Sequence, residues 1–507
     1  MHAGLDPRTP VVIGGGQLNQ RVDRGAPALE PVDLLAEALR KAAVDTGAPD
    51  PHAVLAAADT VAVVNIISWR YRDPGSLVAS RIGALPKRTW YTVASGNAPQ
   101  SLLNRAAQDI RDGEADLVVI GGAEAWRTRT ATRRADAHAR PEWTVEPDDA
   151  APNWTLGDDT PLLCANEMAR GVMMPVQIYP LFESAIRAAA GRTIAEHDVH
   201  LSELWSRFSA VAARNPNAWI QHAYTPEEIR STDGGNRLVG APYRKMMNSN
   251  SAVEQGAGFI VCSAERAQAL GVPTERWVFP WSGADARDTP FVSNRPDLGR
   301  SPAIRATGRV ALELAGIGVD DLAHVDLYSC FPSAVEVAAA ELGLAGPDGR
   351  LDGRDLTVTG GLSFAGGPWN NYVSHSIATM VDRLRAEPGS FGLVTGNGGF
   401  LTKHAMGIYR TSPPPDGFRW ASPQAEVDAA GSVELCEAWD GPATIEAYTV
   451  MHSREGEPEL GIVLARLADG RRAWGTSAEA DDLTDLLAVD AVGRAVALTS
   501  AGAFTLT

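Results

Sequence analysis

The chain has 507 residues, with 45 Lys plus Arg against 62 Asp plus Glu and a formal net charge of −17. Hydrophobic residues make up 45% and charged residues 21%, a globular composition that excludes a disordered or fibrous protein. So negative a surface repels phosphate backbones and anionic lipid, which excludes nucleic acid and membrane surfaces as general partners. A small anionic ligand stays open, because a few basic groups or a helix N-terminus can be local exceptions.

At roughly 100–200 residues per domain, the length predicts about three to four structural units. Cys164, Cys262, Cys330 and Cys436 stand far apart with no CxxC or Cys/His spacing, so neither a disulfide framework nor a zinc motif is expected. The start, Met1-His2-Ala3-Gly4-Leu5-Asp6-Pro7, lacks the basic-then-apolar build of a secretory leader. No apolar run approaches the roughly 20 residues that span a bilayer. A soluble, cytoplasmic protein is the expectation.

In chain order, Pro10-Val11-Val12-Ile13 predicts a buried strand ending in a tight turn at Gly14-Gly15-Gly16. Pro31 opens a helix carrying Leu34, Leu35, Ala38, Leu39 and Ala42 at helical spacing, and Gly47 stops it. The β-branched run at 59–64 predicts a central strand. Ser95-Gly96-Asn97 then precedes a helix over about 99–111, and Asp116–Gly122 predicts another buried strand. Continuous apolar strands alternating with helices indicate a mostly parallel sheet covered on both faces.

The same grammar returns late in the chain. A helix at 303–315 is followed by a strand at 324–328, a glycine-rich turn at 366–371, a helix containing His375, and a strand at 391–395 closed by Gly396-Asn397-Gly398-Gly399. This is a duplicated α/β unit. Between the halves, residues 126–245 are polar and Pro-rich, which predicts an inserted loop-and-helix region over the site. Thr411–Gly417 reads as a stiff linker. The tail shows alternating strands at 443–450 and 460–467, an Asp469-Gly470 turn, a strand at 472–476, a short helix near 478–487 and a last strand at 492–498. These predict a compact β-barrel-like unit. The expected domains are therefore 1–125, 126–245, 246–411 and 416–507.

Several ordered stretches resemble the thiolase superfamily, in particular the SCP2-thiolase-like branch and thiolase-like proteins of type 1 with an additional C-terminal domain. Gly113–Glu124 is similar to the stretch that closes the first thiolase half. Val325-Asp326-Leu327-Tyr328-Ser329-Cys330-Phe331 sits at the branch's His-Asp-Cys-Phe block, and Ser249–Gly258 is similar to the segment re-entering the core. The resemblance implies two βαβαβαββ halves layered α/β/α/β/α. It also implies an acyl-CoA or CoA partner, no cofactor beyond the CoA carried by the substrate, and a homodimer by family default, or a monomer if the extra domain covers the pairing edge.

Thiolase chemistry uses a cysteine thiolate, a histidine base and an oxyanion site. This chain has Val93 at the nucleophile position of Tyr91–Gly96 and Gly367 at the histidine of Gly-His-Pro. It has no cysteine within Thr395–Gly399, and Tyr328 stands where the family has His or Asn. Conventional thiolysis or Claisen condensation is therefore not expected. The catalytic candidates are Tyr328, which the resemblance to thiolase-like aldolases suggests as a general acid or base, His375, and Cys330 as a relocated nucleophile with His375 or His404 as its base. The substrate-binding candidates are Ser95, Asn97, Asn370, Asn371 and Asn397. Ser95 reads equally as a helix N-cap, Cys330 as a small buried residue, and Asn370 and Asn371 as turn residues. Three functions fit: an acyl-CoA-handling protein of acetyltransferase type without the usual nucleophile, a CoA-ester aldolase or lyase using Tyr328, and a non-catalytic CoA- or partner-binding scaffold.

Overall fold

The computed structural model describes residues 5–21, 28–346 and 353–506. Residues 1–4, read above for a leader, lie outside them. Numbered in chain order, the first half and its insertion carry β1 (Pro10–Asn19), β2 (Thr60–Val63), β3 (Arg88–Thr92), β4 (Leu117–Ala125), β5 (Trp154–Leu156), β6 (Leu238–Gly240), β7 (Tyr243–Arg244) and β8 (Glu254–Ser263). The second half carries β9 (Phe279–Arg287), β10 (Leu322–Asp326), β11 (Phe391–Gly398), β12 (Lys403–Arg410) and β13 (Arg419–Ala421). The tail adds β14 (Gly441–His452), β15 (Pro458–Arg466), β16 (Arg472–Ser477), β17 (Ala495–Leu498) and β18 (Phe504–Leu506).

The duplication is visible in the strand order. The first sheet runs β1-β8-β4-β2-β3-β5 and the second β10-β11-β12-β9-β13. In each, a parallel pair (β2 with β4, β10 with β11) is followed by two antiparallel pairings, through β8 to β1 and through β12 to β9. The second half departs at one place: among its described residues no strand answers β3. An extended segment replaces it, tied by Leu327 N to Leu356 O at 2.9 Å and by the buried Asp326 carboxylate, which accepts from Val358 N at 2.9 Å and Thr357 Oγ1 at 2.8 Å.

Two central helices, Ala98–Arg111 and Tyr372–Ala386, pack on strands of both sheets, while Pro31–Asp45 and Pro302–Ala315 cover the outer faces. The helices 98–111 and 372–386 therefore bury most of their circumference, including the polar Gln100, Asn104 and Asp109 on the first. Such buried polar groups need partners, and Gln100 and Asn104 bond each other at 2.9 Å.

Gly14-Gly15-Gly16 is not a turn. β1 continues through it to Asn19, paired with β8. A Cβ at Gly14 or Gly16 would run into the carbonyl oxygens of Ala42 and Ala38 on the outer helix, and one at Gly15 would lie 2.9 Å from Ala378 Cα on the central helix. The glycines let helices approach closely on both faces of one strand, the other role of glycine in a strand.

The tail forms a third sheet, β16-β15-β14-β17-β18. A bridge from Thr476 of β16 to Ala503, next to β18, brings the two ends of that sheet together, so it curls toward a barrel. The last strand of the tail is β18, beyond the 492–498 run. Two segments cross the expected boundaries: β13 pairs with β9 of the second sheet, and β6 of the insertion pairs with β14 at Gly240–Met451. Among the described residues no helix is long and apolar enough to cross a membrane.

Candidate functional site

β3 delivers the chain at Thr92 into the turn 93–97, and helix 98–111 starts immediately after it. Asn97, not Ser95, occupies the N-cap position, and its side chain makes no capping bond. Ser95 Oγ instead donates to Asn97 Oδ1, Asn97 Nδ2 lies 3.1 Å from Ser101 Oγ, and Ser101 Oγ donates to Asp285. Asp285 also accepts from Asn104 Nδ2 and Trp420 Nε1, each at 2.7 Å. Withdrawal from water pushes its carboxyl above the usual range against these donors. A polar relay thus runs along one side of the helix from the turn to β9.

The other side of the turn packs on the second half. A Cβ at Gly96 would lie 2.5 Å from Tyr328 Oη and would overlap Asn397 O, while Gly398 leaves space for Ser95 and Asn97. Asn397 Nδ2 lies 3.1 Å from Tyr179 Oη and 3.8 Å from Cys330 Sγ, and its Oδ1 is buried without a partner. Tyr179 Oη donates to Gly399 O at 3.1 Å, and its ring stacks on Phe331 at 4.4 Å. The structure therefore brings Ser95, Asn97, Tyr328, Cys330 and Asn397 together. It adds Tyr179, from the insertion helix Pro175–Ala189, which the sequence did not single out. Burial pushes the Cys330 thiol up to about 12 and the Tyr328 phenol well above its ordinary value, so both groups keep their protons near neutrality.

Other candidates bond elsewhere. Asn371 Nδ2 donates to Gly122 O at 2.6 Å and Ala257 O at 3.3 Å, stitching the central helix to β4 and β8. Asn370 Nδ2 donates to Asn65 O at 3.0 Å. Both amides serve backbone carbonyls of the first half, as turn residues do. At Gly367, a Cβ would meet Ser249 Oγ, so the serine fills the space where a histidine would start. Val93 is half-buried beneath Gly157. His404 Nε2 lies 3.4 Å from Asp288 Oδ2.

His375 Nδ1 donates to Gln17 Oε1 of β1 at 2.8 Å, and its Nε2 is buried without a partner. Burial lowers its pKa from 6.5 to about 3. A ring held neutral this way contributes stability that is complete above pH 6.5 and is lost as pH falls toward 3, at about 1.4 kcal/mol per pH unit. His375→Gln is therefore expected to flatten the loss of stability below pH 6.5, read by urea unfolding at successive pH values. Curves parallel to the parent's would contradict this assignment.

Beside the turn lies a cleft of about 560 Å³ lined by Val93, Ser95, Asn97, Asp285 and His404 and bordered by Arg105, Arg287 and Lys403. Tyr328 and Cys330 are not among its lining residues; they pack behind Gly96 and Asn397. Arg287 pairs with Asp158, and Lys403 Nζ donates to Asp158 O. Arg105 pairs with Asp109 at 2.6 Å, so the cleft carries three cations against two lining carboxylates, Asp158 and Asp285. A separate group, Glu183, His197 and Glu336, is the one set of three side chains among the described residues whose geometry suits a metal ion. Burial lowers His197 to about 4 and raises Glu336 to about 7.

Residues 423–503 match the family model of the thiolase-like protein type 1 additional C-terminal domain. A search of curated proteins gives no match. Among solved structures, the fold is similar to the Ltp2–ChsH2(DUF35) aldolase, with a TM-score of 0.57 at 19% identity over 80% of this chain and 98% of that one. It is likewise similar to the dimeric peroxisomal thiolase of Saccharomyces cerevisiae, with a TM-score of 0.56 at 14% identity over 80% of this chain and 98% of that one. These two likenesses concern the fold alone. A monomeric SCP2-thiolase like protein type 1 from Mycobacterium smegmatis is similar at 34% identity and a TM-score of 0.83, over 99% of this chain and 100% of that one. The chain belongs to the SCP2-thiolase-like protein type 1 family.

Proposed function

We propose that this protein binds CoA or a short acyl-CoA in the cleft beside Val93–Asn97 and does not carry the acyl group on a cysteine. The observation that carries the reading is the placement of Arg105, Arg287 and Lys403 around a cleft that opens on the turn where thiolases hold their nucleophile. The cations suit the phosphates of CoA. Ser95 and Asn97 on the turn before helix 98–111 line the same cleft and are the polar side chains assigned to the thioester end.

Covalent transfer lacks its parts. Val93 cannot be acylated, Gly367 has no base and no room for one beside Ser249, and Cys330 is held as a thiol by burial. A second reading, a CoA-ester lyase, is favoured by Tyr328 alone. Its protonated phenol packs behind Gly96, outside the cleft lining, so this reading requires the acyl end of the thioester to pass that glycine; Tyr328→Phe would then abolish the activity while leaving CoA affinity near the parent's. Saturation with CoA tests the binding reading: at a hundredfold excess over Kd it adds about 2.7 kcal/mol of stability and raises Tm. An unchanged Tm with CoA and with acetyl-CoA would overturn it.

We also propose a monomer in the cytoplasm. The four cysteines are free, which suits a reducing compartment. The first-half sheet does not end at β3, because β5 from the insertion pairs with it in parallel through Trp90–Trp154, Tyr91–Thr155 and Thr92–Leu156. The strand that covers this edge therefore comes from the insertion, not from the extra domain. Light scattering after gel filtration is expected to give the monomer mass of 53.7 kDa across the micromolar range, and a mass twice that value would contradict it.

A further inference from the structure

Three helices meet at Glu183, His197 and Glu336: Pro175–Ala189 and Ile194–Arg214 of the insertion, and Pro332–Glu341 of the second half. Each offers one donor atom, and the three atoms lie within 4.8 Å of one another. All three residues are buried, Glu183 at 0%, His197 at 1% and Glu336 at 7% exposure. His197 Nε2 bonds Glu183 Oε1 at 2.6 Å, Tyr243 Oη donates to Glu183 Oε2 at 2.5 Å, and His200 Nε2 bonds Glu336 Oε1 at 2.8 Å. Glu336 Oε2 is buried and has no partner.

Two carboxyls this close and this dry are accommodated either by a proton shared between them or by positive charge beside them. Arg192 lies 3.5 Å from Glu336, and the charges of Arg192 and Arg187 both act on Glu183. The cluster also has an approach. Glu183, His197 and Arg192 line a cavity of about 810 Å³, which Tyr448 and residues 486–490 of the C-terminal domain also line.

We propose that Glu183, His197 and Glu336 bind one divalent transition-metal ion, with Zn²⁺ the best fit, reached through this cavity. One imidazole nitrogen and two carboxylate oxygens suit zinc better than magnesium or calcium, which take oxygen alone. Zinc sits about 2.0–2.2 Å from such donors, so the 2.6 Å hydrogen bond between His197 and Glu183 opens as the ion enters. His197 then carries its proton on Nδ1, and Arg192, which lies 3.4 Å from that atom, turns into the cavity it lines. Tyr243 and His200 hold the carboxylates from outside, the role of a supporting shell. Three protein donors leave a fourth position for water or a ligand from the cavity. This site is separate from the thioester cleft, and either can fail without the other.

The test uses the full-length protein, stripped with chelator and dialysed against Zn²⁺. The parent is expected to retain one equivalent, and Glu336→Gln and His197→Gln are expected to raise Kd by at least about tenfold. No zinc on the parent, or equal retention by both variants, would overturn the proposal. If the variants do not fold, Co²⁺ on the parent decides: ligand-field bands without a thiolate charge-transfer band are expected, whereas no bands, or a thiolate band placing the ion on a cysteine, would overturn it.

Discussion

Gly96→Ala is expected to lower stability by about 1–3 kcal/mol, the usual cost of overpacking, and to abolish thioester binding. The added methyl would overlap the backbone carbonyl of Asn397 and lie 2.5 Å from Tyr328 Oη, so neither neighbour can yield without moving the turn. The displaced turn takes Ser95 and Asn97 out of the cleft together, because Gly398 holds both in contact. Urea unfolding gives the stability change and titration with CoA the binding change. A variant with parental midpoint and parental affinity would show that the turn is not packed as described.

The double substitution Arg287→Gln with Lys403→Gln is expected to weaken CoA binding by about 100-fold, on the order of 3 kcal/mol for two lost charge-assisted bonds. The residual binding should be less sensitive to salt than the parent's, since screening acts on the charges removed. Both residues also bond Asp158, so the near-ultraviolet circular dichroism of the variant serves as the control for local structure. Unchanged affinity in a folded variant would place the phosphates elsewhere.

The duplicated fold was legible because its strands are buried on both faces and read as short continuous apolar runs between helices. Leu117, Val118, Val119 and Ile120 are fully buried, and such a run signals a strand without any partner being known. The glycine run at 14–16 misled because a turn and a strand squeezed between two helices need glycine for different reasons that look alike in sequence. What decides is Ala38, Ala42 and Ala378, whose helices press on the two faces of that strand.

The candidate site was legible in part. The turn 95–97, Tyr328, Cys330 and Asn397 converge because the two halves place equivalent loops at the ends of their strands. Asn370 and Asn371 carry the same chemistry on paper, and only the structure shows their amides spent on backbone carbonyls. Tyr179, Asp285 and the cations were missed for a different reason. Tyr179 sits mid-helix in the insertion, Arg287 and Lys403 come from paired strands β9 and β12, and Trp420 arrives through β13. Nothing local in the sequence marks any of them. Their signal is the pairing of strands far apart in the chain.

The most direct measurement is calorimetric titration of the purified protein with CoA and acetyl-CoA, with the same samples assayed for thiolysis of acetoacetyl-CoA. Micromolar binding, about −8 kcal/mol, with no thiolysis is the predicted result. Thiolysis, or the absence of any binding heat with either ligand, would contradict it.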